Sequence, residues 1–137
     1  MAKISLDFEG FEDMLKKFND LDKDIDKAVE NALQASKDFV TPQVVSAMNS
    51  HIDTGKTKSA IEENSGVVND GVSAYIEVGF DIDKEISESG YPVSIFLMYG
   101  TPKNAPDKTL YNAIYGSKTK KEIQRIQEEE FIKVLNE

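Results

Sequence analysis

Apolar residues change their spacing along this chain, and the changes mark its elements. Ile4, Leu6 and Phe8 alternate with Lys3, Ser5 and Asp7, the period-two signature of a short strand with one buried face. Over residues 11–21, Phe11, Met14, Leu15 and Phe18 fall on one helical stripe. Glu12 and Asp13 occupy the first turn, where the helix dipole favours acids. Asp20 or Asp22 is placed to cap the next helix. That helix is the longest element: Ile25, Val29, Ala32, Leu33, Phe39, Val40, Val44, Met48 and Ile52 recur by steps of three, four or their sums. About 30 residues would extend ~45 Å. Pro42, which lacks an N–H donor, predicts a kink or break near residues 38–41.

After the stretch HIDTGKTKSAI (51–61) the period shortens to that of strands. Val67 and Val68 precede Asn69-Asp70-Gly71, a hairpin turn signal. Val72, Ala74, Ile76 and Val78 then alternate with Ser73, Tyr75 and Glu77, which predicts an antiparallel pair with Tyr75 on the face opposite the aliphatics. Residues 81–90 read as acidic and irregular. The apolar run 93–99 is a buried strand or a short helix by periodicity, and Pro92 at a first helical position favours helix. Residues 100–106 are a loop by composition. Asp107 is placed to cap a helix carrying Leu110, Tyr111, Ala113 and Ile114. Gly116-Ser117 interrupts it, and a last helix from Lys118 to about Leu135 buries Ile123, Ile126, Phe131, Val134 and Leu135. The expected fold is α+β, with a long N-terminal amphipathic helix and a C-terminal helix packed on a small antiparallel β-sheet. One domain, 1–137, divides into a helical half (1–61), a strand hairpin (64–80), and an apolar segment with C-terminal helices (91–137).

Composition narrows the chemistry. The 137 residues suit one ordinary core. No apolar run approaches the ~20 residues of a bilayer span, and Met1-Ala2-Lys3-Ile4 lacks the apolar core of a secretory signal. The absence of cysteine excludes disulfides, thiolate metal sites and a cysteine nucleophile. A net charge of −9 with a single arginine, Arg125, speaks against a reader of nucleic acid, which must neutralise phosphates.

Gly55-Lys56-Thr57 ends like a phosphate-binding loop, but Ser50 stands where its first glycine belongs, and a helix rather than a strand precedes it. The plainer reading has Asp53-Thr54 capping a short helix. Asp81, Asp83 and Glu85 fit positions 1, 3 and 5 of a calcium loop, yet Ile86 and Pro92 replace its glycine and its bidentate glutamate. Asp22, Asp24 and Asp26 fail in the same way. His51, the one histidine, has no partner histidine for a metal and no serine elbow for a triad. It reads as a residue near a helix C-terminus. Gly55 and Gly100 read as positions where backbone geometry demands glycine. No enzymatic function, cofactor or metal is expected.

The order of parts is informative. A strand-then-helix start (SLDFEGFEDMLKKFNDL), a long amphipathic helix, DTGKTKSAI, a hairpin, an apolar segment ending in YGT, and APDKTLYNAI before a last helix resemble the tail-component family of head–tail joining (neck) proteins of tailed bacteriophages. Thr54, Gly55, Ser59, Ile61, Tyr99, Gly100, Thr101, Pro106, Leu110 and Ala113 stand at the family's motif positions. Thr57 and Asp107-Lys108-Thr109 depart from it. The resemblance implies a non-enzymatic virion part of phage or prophage origin that forms a ring with copies of itself. Its partners would be neighbouring head-connector or tail proteins, with no small-molecule substrate, no sequence-specific nucleic acid and no membrane. It would be located in the virion and, during assembly, in the host bacterial cytoplasm.

A ring protomer needs two complementary surfaces. The candidates are Tyr75, Tyr91, Asp81, Asp83 and Glu85, with 81–90 as the segment that orders on contact. Tyr99 and Tyr111 read first as half-buried core. The competing class is a small acidic cytoplasmic binding or regulatory module, such as a nucleic-acid mimic.

Overall fold

The structure is a computed structural model that describes residues 2–7, 12–51, 56–69 and 73–137. β1 (Ala2–Asp7) leads to α1 (Glu12–Asp20) and α2 (Ile25–Met48), which ends in a 3-10 turn at Asn49–His51. A single-turn α3 (Lys56–Ser59) precedes β2 (Val68–Asn69) and β3 (Ser73–Val78). The chain finishes with α4 (Ile82–Ser89), α5 (Val93–Tyr99), α6 (Lys108–Tyr115) and α7 (Ser117–Leu135). The architecture is α+β: long helices pack on a small antiparallel sheet.

The alternating segments pair as their pattern predicts. β3 is the central strand in the order β1-β3-β2 and is antiparallel to both neighbours, with Ile4 opposite Ile76 and Leu6 opposite Ala74. Ile4, Leu6, Ala74, Ile76 and Val78 are therefore buried together on one face. Tyr75 lies on the other face, half-buried, with the Lys3 ammonium 4.3 Å from its ring centroid. The expected turn at Asp70-Gly71, and Val72, lie outside the described residues.

α2 is the spine. It packs against β1 and β3 and against α6 and α7, most extensively α7. Val29, Ala32, Leu33, Val40, Val44 and Met48 are buried on the predicted stripe, and Ala28 and Ser36 are buried in addition. Two expectations change here. The helix starts after Asp24, whose carboxylate accepts the Lys27 N–H at 3.0 Å, rather than after Asp20 or Asp22. Asp22 instead takes a left-handed φ of 53°, which short polar residues tolerate. The helix also runs unbroken through Pro42 for 24 residues. Pro42 and Asp38 are both exposed, so the carbonyl deprived of a donor lies on the side where water replaces it.

Fully buried Phe18 and Phe131 meet edge-to-face at 5.5 Å and tie α1 to α7. Val134 is also buried, and Ile123, Ile126 and Leu135 are half-buried. Lys37 is buried on α2 at 2% exposure. Its ammonium donates to the Ser65 carbonyl at 3.1 Å and to the Ser65 hydroxyl, which in turn donates to the Glu77 carbonyl. Burial pushes the Lys37 pKa down, opposed by the nearby charges of Glu62, Asp38 and Glu63.

The main correction concerns residues 81–90, which are helical rather than irregular. The Asp81 carboxylate accepts the Lys84 N–H at 3.1 Å, and Gly90 ends α4 with a left-handed φ of 85°. A capping acid and a terminal glycine are boundary signals that the acidic, serine-containing composition obscures. The apolar run 93–99 is the helix α5. Among the described residues, no helix is long and apolar enough to cross a membrane.

Candidate functional site

The end of the molecule that gathers α4, α5 and the loop before α6 is held by polar contacts. α5 begins at Pro92, which offers no side-chain cap. The missing acceptor comes from α4. Glu85, at 1% exposure, accepts the Ser94 N–H at 2.7 Å and the Ser94 hydroxyl at 2.6 Å. A carboxylate at the first turn of a helix satisfies an orphan donor and suits the dipole. Glu85 is therefore a cap acting across two helices, and it is removed from the expected interface set because it is buried. Asp81 is spent on capping α4. Asp83 is exposed on the first turn of α4 and stays in the set.

The loop leaving α5 reverses sharply. Gly100 has φ 78° and ψ 176°, and its N–H donates to the Phe96 carbonyl at 2.9 Å. A Cβ there would lie 2.8 Å from Pro106 N and 2.9 Å from the Asn104 carbonyl, so the position requires glycine for both φ and space. Thr101 and Asn104 exchange backbone hydrogen bonds at 2.9 and 3.2 Å, and the Asp107 N–H closes the turn on the Leu97 carbonyl at 2.8 Å. Asp107 then serves two partners. Its Oδ1 accepts the Leu110 N–H at 3.0 Å as the expected cap of α6, and its Oδ2 meets Nε2 of His51. The His51 hydrogen bond, followed by the Leu110 N–H, holds the Asp107 carboxyl below the usual range. His51 thereby links the end of α2 to the start of α6, and the pair borders a cleft of about 530 Å³ walled by Tyr91, Val93, Phe96 and Leu97.

Above this polar frame the surface is apolar. Ile86, Tyr91, Ile95, Phe96 and Tyr99 are all exposed, Tyr99 at 59% and Phe96 at 45%. Ile95, Phe96 and Tyr99 share one face of α5. The Tyr91 and Phe96 rings lie 5.9 Å apart, and Tyr99 meets Tyr111 edge-to-face at 5.6 Å. Elsewhere, exposed Leu21 lies in the turn after α1, and Val68 and Ile132 lie on β2 and α7. Single exposed apolar residues are ordinary, whereas a cluster of aromatics marks a contact surface.

The sequence-predicted positions divide accordingly. Tyr91 is exposed in the cluster. Tyr99 belongs to it as well, contrary to its reading as half-buried core, while Tyr111 is half-buried. Tyr75 is on the outer sheet face, away from α5. Of the motif positions, Tyr99, Gly100, Thr101 and Pro106 meet in the tight loop, with Leu110 and Ala113 buried on α6 behind it. Ser59 ends α3 with its hydroxyl donating to the Lys56 carbonyl at 2.7 Å, and buried Ile61 bridges to Phe80. Thr54 and Gly55, with the Asp53-Thr54 cap, lie outside the described residues. Ile95 and Phe96 are the surface residues that sequence reasoning missed; an apolar run signals burial, and only its short length hinted otherwise.

Among the described residues, no group of three or more His, Asp or Glu side chains is placed to hold a metal ion. The acids of α7 are interlaced with cations: Arg125 pairs with Glu122 and with Glu129 at 2.6 Å, and Lys133 with Glu130 at 3.2 Å. No protein-family model, curated protein or solved structure matches the chain.

Proposed function

We propose that the protein is a non-enzymatic structural virion component of phage or prophage origin, acting in head–tail joining or tail completion. It works by contact with copies of itself, arranged as a ring, and with neighbouring head-connector or tail proteins. The observation that carries this reading is the exposed aromatic face of α5 with Tyr91, set on a polar frame. Aromatic anchors with polar surroundings are what protein interfaces use. The order of the YGT, proline and Leu-x-x-Ala motifs along the chain supports the phage assignment. Net charge of −9 makes copies repel, so association is promoted by salt that screens charge beyond about 8 Å. The ion-paired acids of α7 speak against a nucleic-acid mimic, which needs acid displayed over one open face.

Mass spectrometry of purified particles from the source phage or lysogen tests the reading. The chain is expected in virions, at several copies per particle. Its absence from complete particles overturns the assignment. Light scattering of the purified chain adds the second half: a monomer or weak oligomer at low salt, growing with salt and concentration, and held monomeric by Phe96→Asp.

A further inference from the structure

The sheet ends in two different edges, since β1 and β2 flank the central β3. Among the described residues, β1 makes no backbone hydrogen bond outside its pairing with β3. An unpaired edge of six residues invites a further strand unless something blocks it. β1 holds no proline and pairs in unbroken register, and its one lysine, Lys3, leans inward over the Tyr75 ring. The flank of this edge is basic. A cleft of about 290 Å³ between β1 and α7 is lined by Lys3 and Lys120 and by no acid. The opposite edge is acidic: residues 62–69 read EENSGVVN, with two acids and no cation. Neither Glu62 nor Glu63 forms an ion pair among the described residues. The Glu62 N–H donates to the Gly79 carbonyl at 2.7 Å, one residue beyond Val78, which pairs with Ala2. The acids therefore stand at the same end of the sheet as Lys3.

We propose that copies of this chain join edge to edge, β1 of one pairing with β2 of the next, so that one sheet continues from copy to copy. The inference rests on the ring proposed above and names its contact. β1 and β2 are each antiparallel to β3 and so point the same way. A sheet continued in this direction pairs them parallel, with Glu62 and Glu63 of one copy beside Lys3 and Lys120 of its neighbour. The two edges differ, so the contact is heterologous, the kind that closes a ring under rotation. Pairing of β1 with β1 about a two-fold axis would instead set two basic flanks together, which like charges oppose. With only two residues in β2, the ladder adds few hydrogen bonds. That matches a weak oligomer that needs the α5 contact as well.

The chain has no cysteine, so single introduced thiols report the contact. Ser5 and Val68 are both exposed and both lie opposite Tyr75, which places them level across the sheet on one face. Neighbouring copies paired as proposed bring these two positions within the ~4.4–6.8 Å that a disulfide spans between Cα atoms. Ser5→Cys and Val68→Cys, each alone and mixed in equal amounts, are oxidised at the salt and concentration where light scattering shows association. A crosslinked dimer is expected in the mixture alone, with peptide mass spectrometry joining positions 5 and 68. Adding Glu63→Lys to the Val68→Cys chain should lower its yield about fivefold, and Lys120→Glu in the Ser5→Cys chain should restore it. A dimer from Ser5→Cys alone, as abundant as in the mixture, shows two-fold pairing and overturns the proposal. Association without the mixed crosslink also overturns it. In both cases the ring and virion reading stands, since it is judged on purified particles and on Phe96→Asp. A chain that stays monomeric at every salt and concentration overturns the edge pairing and the ring together, and leaves the virion assignment to the particles.

Discussion

Two regions of this molecule each close on a buried ionisable side chain, and they do so by different physics. The body of α2, the sheet and α7 is an aliphatic and aromatic core into which one ammonium, Lys37, has been admitted. The end formed by α4, α5 and the following loop has far less apolar burial, with Ser94, Met98 and Glu85 its buried positions. It is organised by the Glu85 carboxylate, by His51–Asp107 and by the Gly100 reversal. Burial is non-directional and tolerant of adjustment. Hydrogen bonds to a buried charge fix geometry and fail abruptly when one partner goes. The polar frame holds α5 by directional contacts while its outer face stays apolar and exposed.

The largest expected effect lies in the body. Phe131→Ala removes a fully buried ring that stacks edge-to-face on Phe18, and should cost about 3–5 kcal/mol by transfer and cavity terms together. Urea denaturation should show a lower midpoint with one transition for the whole chain. Retention of wild-type stability would mean that α1 and α7 are not joined through this pair.

Next comes the frame. Glu85→Ala strands the Ser94 N–H and hydroxyl in a buried place and should cost about 2–3 kcal/mol. Glu85→Gln keeps an acceptor and should recover part of it. Hydrogen exchange separates the two regions. Protection should fall in α4 and α5 in Glu85→Ala while α2 and β3 keep theirs. Equal loss everywhere would erase the distinction.

The body was the legible part of the sequence. Alternation at Ile4–Leu6 and Ala74–Ile76–Val78, and the stripe from Val29 to Met48, are local patterns whose periods survive in the fold. The Asp107 cap and the break at Gly116 are local too. What could not be read was non-local. Glu85 and Ser94 lie in different helices, and His51 finds Asp107 across 56 positions. An acid in an acidic stretch looks solvated until its partner is known. The same limit hid the exposed face of α5, since apolar side chains signal burial and not which surface buries them. Pro42 misled in the other direction: its chemistry was right, but its solvent-facing position removed the penalty.

A smaller effect tests the His51–Asp107 link. Asp107→Asn keeps a capping oxygen for Leu110 but loses the carboxylate that pairs with His51, and should cost about 0.5–1 kcal/mol. The folded chain holds the Asp107 pKa below 3.8. Its stabilisation is therefore complete above that value and is lost as pH falls through the depressed folded pKa. Acid titration of stability should be shallower below about pH 4 in Asp107→Asn than in the natural chain. Identical acid slopes would show that the link contributes nothing to folding.

The smallest effect at neutral pH belongs to Lys37, where burial outweighs the opposing charges. Burial lowers its pKa from 10.5, and the charges of Glu62, Asp38 and Glu63 pull it back. With a folded pKa below the unfolded one, the unfolded chain binds more protons between the two values. Stability should then rise with pH across that window and level off above 10.5, the reverse of the acid limb at Asp107. Lys37→Met keeps the volume, removes the titration and leaves the Ser65 hydroxyl its bond to Glu77. Its cost is the donor lost to the Ser65 carbonyl, set against the desolvation it relieves, and the sum should lie within about 1 kcal/mol of zero. The alkaline slope is the sharper measurement: it should flatten in Lys37→Met while the midpoint near neutral pH barely moves. A loss of several kcal/mol at neutral pH would mean that the body, like the end, depends on one directional charge.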